Sequence, residues 1–259
     1  MKVKIYARSH VLFAAEILAN YLRKLDHELA IVGEIDPNDE TLHIIYCAFA
    51  APALPKNYVV YQTEVLNSKW FMEGYHRILN SALAIWDYDV RNVLHMPYID
   101  HFVVPPGINS QNVDGIRDID VMHYGSINER RRRLLNEIQD VKIIENVYGE
   151  DMYALLKRAK VVLNIHYYSH APLEVFRIYE ALSYGCHVVS EPTDDATQKR
   201  HIEMVYFSES ISDFKTSIAK ALARPFDYDL SPIDDLAFNA VKEAMIGFEG
   251  KHFLMGLPH

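Results

Sequence analysis

Apolar runs of strand length alternate with helical patterns along most of this chain. Val3–Tyr6 leads into a helical stretch over 12–25, and "ELAIVGE", "LHIIYCAF", "NYVVYQTE" and "ALAIWDYD" follow. Between the last two, "SKWFMEGYHRILNSA" has helical spacing. Near-continuous apolar strands joined by helices predict a parallel sheet covered on both faces. The pattern breaks at 102–118, "FVVPPGINSQNVDGIRD", where prolines, glycines and polar residues predict a linker. Beyond it the alternation restarts with "IDVMHYG", an arginine-rich helix, "VKIIENVYG", the helix "EDMYALLKRAK", "VVLNIHYY", the helix "PLEVFRIYEALSYG" and "HVVSE". The chain therefore reads as two doubly wound α/β domains, a small one over 1–105 and a second over 106–259. The last helix is also placed to pack back on the first domain.

Composition narrows the function classes. An apolar content of 50% is that of a well-buried globule, and a formal net charge of -9 argues against a general nucleic-acid or membrane-surface binder. Cys47 and Cys186 have neither metal-ligand spacing nor a disulfide framework, which suits a reducing compartment. No apolar run reaches membrane-spanning length, and Glu16 interrupts the N-terminal run, so a signal peptide is disfavoured. A cytoplasmic protein is expected.

In doubly wound sheets ligands bind outside the carboxyl ends of the strands. Two such corners stand out. In the first, "YGSINERRRRLL", Ser126 and Glu129 have capping-box spacing, which predicts a helix from Ile127. On that helix Ile127, Leu134, Leu135 and Ile138 share a face with Arg131 in its middle; Arg130 lies at the border, and Arg132 and Arg133 point away. A Gly-Ser turn at a helix N-terminus, with an inward arginine, suits a phosphate. A purely solvated arginine helix is the plainer alternative. Neither a Walker A loop nor a GxGxxG fingerprint occurs, which disfavours P-loop hydrolases and dinucleotide-dependent dehydrogenases.

The second corner follows the predicted strand 161–167. Pro172 is expected to open the next helix, placing Glu174 in its first turn, and Gly185 to close it. Val175, Ile178, Tyr179 and Leu182 form its core face, which leaves Arg177 and Glu180 as an expected surface pair. His166 and Tyr168 end one strand and Glu191 the next.

Taken together, "YGSINERRRRLL", "AKVVLNIHYY", "EVFR" and "HVVSE", with "NYVVYQTEV" and "AIWDYDVRNV" upstream, resemble GT-B glycosyltransferases. The subgroup is the short group-1-like one of bacteria and viruses, related to spore-maturation-type transferases. The resemblance covers most of the chain and implies two Rossmann-like domains, an acceptor-side N-terminal one and a donor-binding C-terminal one, with a nucleoside-diphosphate sugar as co-substrate and no other cofactor. It implies that Gly125, Ser126 and Arg131, assisted by Arg130, hold the diphosphate. Glu174 would meet donor-sugar hydroxyls and Glu191 the ribose. Asn164, His166, Tyr167, Tyr168 and Arg177 complete the implied donor set. The implied partners are a nucleotide-sugar donor and a glycan or small hydroxyl acceptor, with no nucleic acid and no membrane span.

The sequence departs from the larger retaining members, which carry two glutamates eight positions apart: eight after Glu174 stands Leu182. The anomeric outcome is therefore open. An inverting enzyme needs an acceptor-side base, for which Glu64 and Asp87 qualify, with His10 behind them. A metal-dependent GT-A transferase would use Asp87 and Asp89 as a DxD pair. Similar pairs occur at Asp118/Asp120 and Asp227/Asp229, so no metal is expected. A non-catalytic nucleotide-binding scaffold is the third alternative.

Overall fold

The computed structural model describes residues 1–65, 68–71, 73–96, 100–169, 171–193 and 196–255, and structural statements below concern these. The chain divides into two compact units: Met1–Gly107 with Ser231–His259, and Ile108–Leu230.

The first unit runs β1 (Lys2–Tyr6), α1 (Leu12–Lys24), β2 (Glu28–Val32), β3 (Leu42–Tyr46), β4 (Tyr58–Gln62), α2 (Glu73–Ser81), β5 (Ala84–Asp87), α3 (Val90–His95) and β6 (His101–Val103). Its six strands form a parallel sheet in the order β2-β1-β3-β4-β5-β6. Strands β3, β4 and β5 are buried throughout, as their near-continuous apolar runs require, whereas edge strand β2 is half exposed. Tyr6, Ile45, Tyr58, Val60, Tyr75, Leu79 and Ile85 form one core.

The second unit runs β7 (Ile119–Tyr124), α4 (Glu129–Glu137), β8 (Val141–Ile144), α5 (Glu150–Arg158), β9 (Ala159–Asn164), α6 (Val175–Ser183), β10 (His187–Ser190), α7 (Ala196–Lys199), β11 (Val205–Phe207) and α8 (Ile211–Leu222). Its parallel sheet has the order β11-β10-β9-β7-β8. Val121, Leu135, Val161, Leu163, Val189 and Phe214 form its core. Gly185, at φ +68, terminates α6 in the left-handed conformation that glycine tolerates, and the Cys186 N–H returns to the Ala181 carbonyl.

The last helix, α9 (Ser231–Met255), belongs to the unit that holds the N-terminal sheet. Tyr21 on α1 donates a hydrogen bond to Asp234, and its ring meets Phe238 edge-on at 5.7 Å.

Two sequence expectations are corrected. Residues 102–103 of the expected linker pair with Trp86 and Asp87 as edge strand β6. The strand expected over 161–167 ends at Asn164. The next N–H groups leave the ladder for side chains: His166 donates to Glu191 and Tyr167 to Glu174.

Candidate functional site

In the second sheet β8 and β9 lie on opposite sides of β7, so the connection reverses direction between β7 and β9. A reversal of this kind opens a crevice at the carboxyl ends of the two strands. Gly125 follows β7 and His166 follows β9, and the two corners singled out in the sequence meet here.

Gly125 adopts φ +109 and donates its N–H to the Ile144 carbonyl at 3.1 Å. A Cβ at this position would stand 2.9 Å from Nη2 of Arg177. The positive φ requires glycine, and a side chain there would also push aside the end of Arg177.

The cap of α4 differs from the expected Ser126/Glu129 box. Asn128 is the N-cap, its side chain accepting from the Arg131 N–H at 2.9 Å, and Glu129 is the first helical residue. Ser126 and Ile127 are drawn elsewhere: the Ser126 carbonyl accepts from Arg131 Nη1 at 2.7 Å, and the Ile127 N–H donates to Glu145 at 3.0 Å. The sequence signal was present, since asparagine is as good an N-cap as serine.

The four arginines divide as the helical spacing predicts. Arg131 is 2% exposed, Arg130 is partly buried, and Arg132 and Arg133 face outward. Arg131 donates from Nε to the Ile165 carbonyl at 2.8 Å and from Nη2 to both oxygens of Glu174 at 2.7 and 2.8 Å. Its guanidinium lies 5.2 Å from the Tyr167 ring centroid. Burial and then the charge of Arg177 lower its pKa to about 10, against the pull of Glu174, and it stays charged at neutral pH. Most of its donors are thus taken up by the protein. Arg130 forks onto Glu191, and its Nη1 also reaches the His166 carbonyl at 2.7 Å.

Glu174 does not lie in the first turn of a helix opened by Pro172. Helix α6 begins at Val175 with Glu174 as its N-cap residue, and the Glu174 side chain makes no capping bond. It accepts instead from Arg131, from Arg177 and from the Tyr167 N–H at 2.8 Å. Burial alone would push this carboxyl up, but Arg177 and Arg131 pull it down to about 2. At neutral pH it is an acceptor only and has no proton to give.

The expected Arg177/Glu180 surface pair is also corrected. Glu180 accepts from the Tyr124 hydroxyl at 2.8 Å. Arg177, whose side chain is 11% exposed, pairs with Glu174, donates to Asn164 Oδ1 at 2.8 Å and to the Tyr124 carbonyl at 3.1 Å, and lies over the Tyr124 ring. Among the described residues its Nη2, the atom facing Gly125, makes no hydrogen bond. Arg130, Arg131 and Arg177 are held by Glu174 and Glu191, with Glu145 on the adjoining turn and Glu180 on Tyr124, and one guanidinium edge is unspent.

The remaining expected donor residues line the same corner. Asn164 is fully buried, its amide donating to Ser190 at 2.9 Å. His166 is buried with Nδ1 4.0 Å from Glu174; burial lowers its pKa against the opposing charges of Glu174 and Glu191. Tyr167 is 36% exposed and meets Tyr168 edge-on. Ser126 is exposed. His123, which the sequence reading passed over, sits under the cluster on β7. Its Nδ1 pairs with the Leu163 carbonyl at 2.9 Å, and burial, with the charges of Arg177 and Arg131, lowers it to about 3.

In the first unit Glu64 and Asp87 have unlike surroundings. Asp87 has no exposed surface; it accepts from the Asp89 N–H at 2.9 Å and Asn92 at 3.1 Å and lies 3.3 Å from His101 Nε2. Asp89 caps α3 and forks onto Arg91. Both members of the DxD pair therefore serve the fold, and among the described residues no group of three His, Cys, Asp or Glu side chains could hold a metal ion. Glu64 is half buried, its carboxyl pushed up by burial and held back by Ser68 and Lys69. At the strand-order reversal of this sheet, between β1 and β3, Cys47 Sγ lies 3.4 Å from both His10 Nε2 and Thr63 Oγ1. Cys47 adopts φ +52, and burial pushes its thiol up to about 11. No sequence motif announced this cluster.

No helix among the described residues is long and apolar enough to cross a membrane. Residues 111–226 match the family model described as glycosyl transferase-like. No curated protein matches the chain. Among solved structures, a glycosyltransferase involved in avilamycin A biosynthesis aligns with TM-score 0.60 and 12% identity, covering 96% of this chain and 98% of that one. An alpha-glucosyltransferase in complex with UDP and DNA aligns with TM-score 0.55 and 10% identity over 98% of both chains. A variant of TarM from S. aureus, in complex with fondaparinux, alpha-GlcNAc-glycerol and UDP, aligns with TM-score 0.52 and 12% identity over 89% of this chain and 58% of that one. The chain thus carries a glycosyl transferase-like domain over 111–226, inside the second of two parallel-sheet α/β units that share the GT-B glycosyltransferase fold.

Proposed function

We propose that this protein transfers a sugar from a nucleoside-diphosphate sugar to the hydroxyl of a glycan or smaller acceptor. One observation carries the assignment: the carboxyl-end crevice of the second unit gathers Arg130, Arg131 and Arg177, and the Nη2 edge of Arg177 is left unspent beside Gly125. That edge, with the turn and the N-terminus of α4, suits a diphosphate.

The roles follow from the contacts. Arg177 meets the diphosphate at the Gly125–Ser126 turn, with Arg130 beside it. Arg131 is the inner brace that aims Glu174 and through it Arg177. Glu174, ionised throughout the neutral range, already accepts four hydrogen bonds from Arg131, Arg177 and the Tyr167 N–H, so its part is to hold Arg177 toward the diphosphate rather than to meet the donor sugar. His166, Tyr167 and Tyr168 line the donor pocket, Asn164 acts from behind by holding Arg177, and Glu191 takes the ribose while holding Arg130. As the glycosidic bond to the diphosphate breaks, negative charge grows on the leaving oxygen. Guanidiniums already fixed in place stabilise that charge without reorganising, and in this scheme they do the work a metal would otherwise do. On the acceptor side Glu64 is the better base than Asp87, because its carboxyl is raised by burial without being enclosed.

The alpha-glucosyltransferase and TarM structures were determined with UDP, which makes UDP the first nucleotide to test. Calorimetric titration of the full chain with UDP and GDP is expected to give binding that Arg177→Ala weakens and Arg132→Ala leaves alone. Slow hydrolysis of the matching nucleotide sugar without acceptor then marks an enzyme. Tight binding with no hydrolysis and no transfer marks a nucleotide-binding scaffold, and no binding of either nucleotide sinks the assignment.

A further inference from the structure

Beyond the strand ends of the first unit lies an aromatic pair that the roles above leave unused. Phe49 follows β3 and Trp70 follows β4; their rings stack at 5.0 Å with 25° between planes. Phe49 is anchored from below, meeting the buried Tyr75 edge-on at 5.7 Å. Trp70 is 42% exposed, and the ammonium of Lys69 stands 4.8 Å from its ring centroid. Glu64 likewise lies past the end of β4, and the charge of Lys69 acts against the burial that raises its carboxyl. Arg8 borders it by donating to the carbonyl of Ala50, next to Phe49.

A single exposed tryptophan needs no explanation. A tryptophan held flat by a second ring, beside a half-buried carboxyl at the carboxyl end of a parallel sheet, has a shape that suits a ligand. The negative face of the indole attracts groups with outward positive charge. An exposed ammonium is a weakly held occupant of this kind. The C–H bonds on one face of a pyranose ring are another, and the ring's equatorial hydroxyls then lie at its rim, open to polar neighbours and water. A nucleic-acid strand fits less well, since it needs a row of cations along its backbone and the chain carries a net charge of -9.

We propose that Trp70, backed by Phe49 and flanked by Lys69, is a stacking platform for a pyranose ring of a carbohydrate acceptor. Naming that ligand as the acceptor rests on the transferase assignment; the binding of carbohydrate does not.

The chain has two tryptophans, and the other, Trp86, is fully buried, so acrylamide quenching of the intact protein's fluorescence reports on Trp70. The probes are maltoheptaose, cellohexaose and oligo(dT). Protection by at least one oligosaccharide is expected, weakened about threefold or more in Phe49→Ala, and calorimetric binding of that oligosaccharide is expected to be lost in Trp70→Ala. Protection by oligo(dT) alone, or by no probe, overturns the proposal. Calorimetric oligosaccharide binding that persists at parental strength in Trp70→Ala overturns it as well. UDP titration of the same samples keeps the two assignments apart. Saccharide protection without UDP binding upholds the platform and removes the donor site, and UDP binding without saccharide protection does the reverse.

Discussion

The two units carry the same kind of sheet with opposite contents at the strand-order reversal. Between β7 and β9 the second unit gathers three arginines and two glutamates, with Arg131 and Arg177 sharing Glu174 and Arg130 held by Glu191. Between β1 and β3 the first unit places a thiol, an imidazole and a hydroxyl, and its enclosed carboxylate, Asp87, serves α3 and β6. A parallel sheet thus supplies a crevice and leaves its chemistry to the residues just past each strand. The charged crevice suits an anion such as a diphosphate. The neutral one, bordered by the half-buried Glu64, is the one to which the proposed scheme assigns the acceptor hydroxyl.

The strongest way to break this contrast is to remove the inner brace. Arg131→Ala leaves Glu174 without its bidentate partner in a buried setting, where breaking an ion pair costs about 3–5 kcal/mol. The melting temperature is expected to fall by roughly 10 °C. Arg132→Ala, outward on the same helix, should stay within about 0.5 kcal/mol of the parent. Equal melting curves for the two would end the distinction between inward and outward arginines.

Acid should expose the same network. Glu174 has a folded pKa of about 2, below its ordinary 4.5. Its contribution is therefore complete above pH 4.5 and is lost as pH falls toward 2. The amount is on the order of 3 kcal/mol. Denaturant titrations across that window should show a steeper loss for the parent than for Glu174→Gln. Parallel curves would mean that the carboxylate is not held by its arginines.

Next in size come substitutions at the open edge. Arg177→Ala is expected to weaken UDP binding by about 1.5–3 kcal/mol, the worth of a charge-assisted hydrogen bond. Gly125→Ala should weaken it too, because its methyl group occupies the front of Arg177, and should cost about 1–2 kcal/mol of stability for the left-handed backbone. Calorimetry and thermal melts on one sample separate the two effects. Glu64→Gln probes the neutral crevice: turnover to acceptor should drop while affinity for UDP is unchanged. A loss of UDP affinity would put Glu64 on the wrong side of the reaction.

The smallest effect tests the cap. Asn128→Ala should cost about 1 kcal/mol, and Ser126→Ala close to nothing in stability. The reverse order would restore the capping box that the sequence suggested.

Much of this was legible in the sequence where it rested on a local period. Continuous apolar runs announced β3, β4, β5 and β9, and the spacing on α4 put Arg131 inside and Arg132 and Arg133 outside. The errors have a common form. Pro172 and Ser126 carry helix-start signals, yet α6 and α4 begin later, because nearby backbone groups are claimed by residues from other elements. Glu180 seemed a surface partner for Arg177 because i, i+3 pairs are neighbours on any helix. Tyr124, 56 residues away in sequence, takes it instead.

The sequence by itself determined two parallel α/β sheets, the corner at which positive charge collects and the arginine that turns inward. These follow from continuous apolar runs of strand length and from the 3.6-residue helical period, both of which act within one element. Only the tertiary structure decided who answers that charge: Glu174 lies 43 positions from Arg131, and Glu191 lies 61 from Arg130. It likewise enclosed Asp87, left Glu64 open and set Phe49 beneath Trp70. Such pairings depend on strand order, which no local window encodes, and once the charges are buried each must find a partner from whatever element the fold brings beside it.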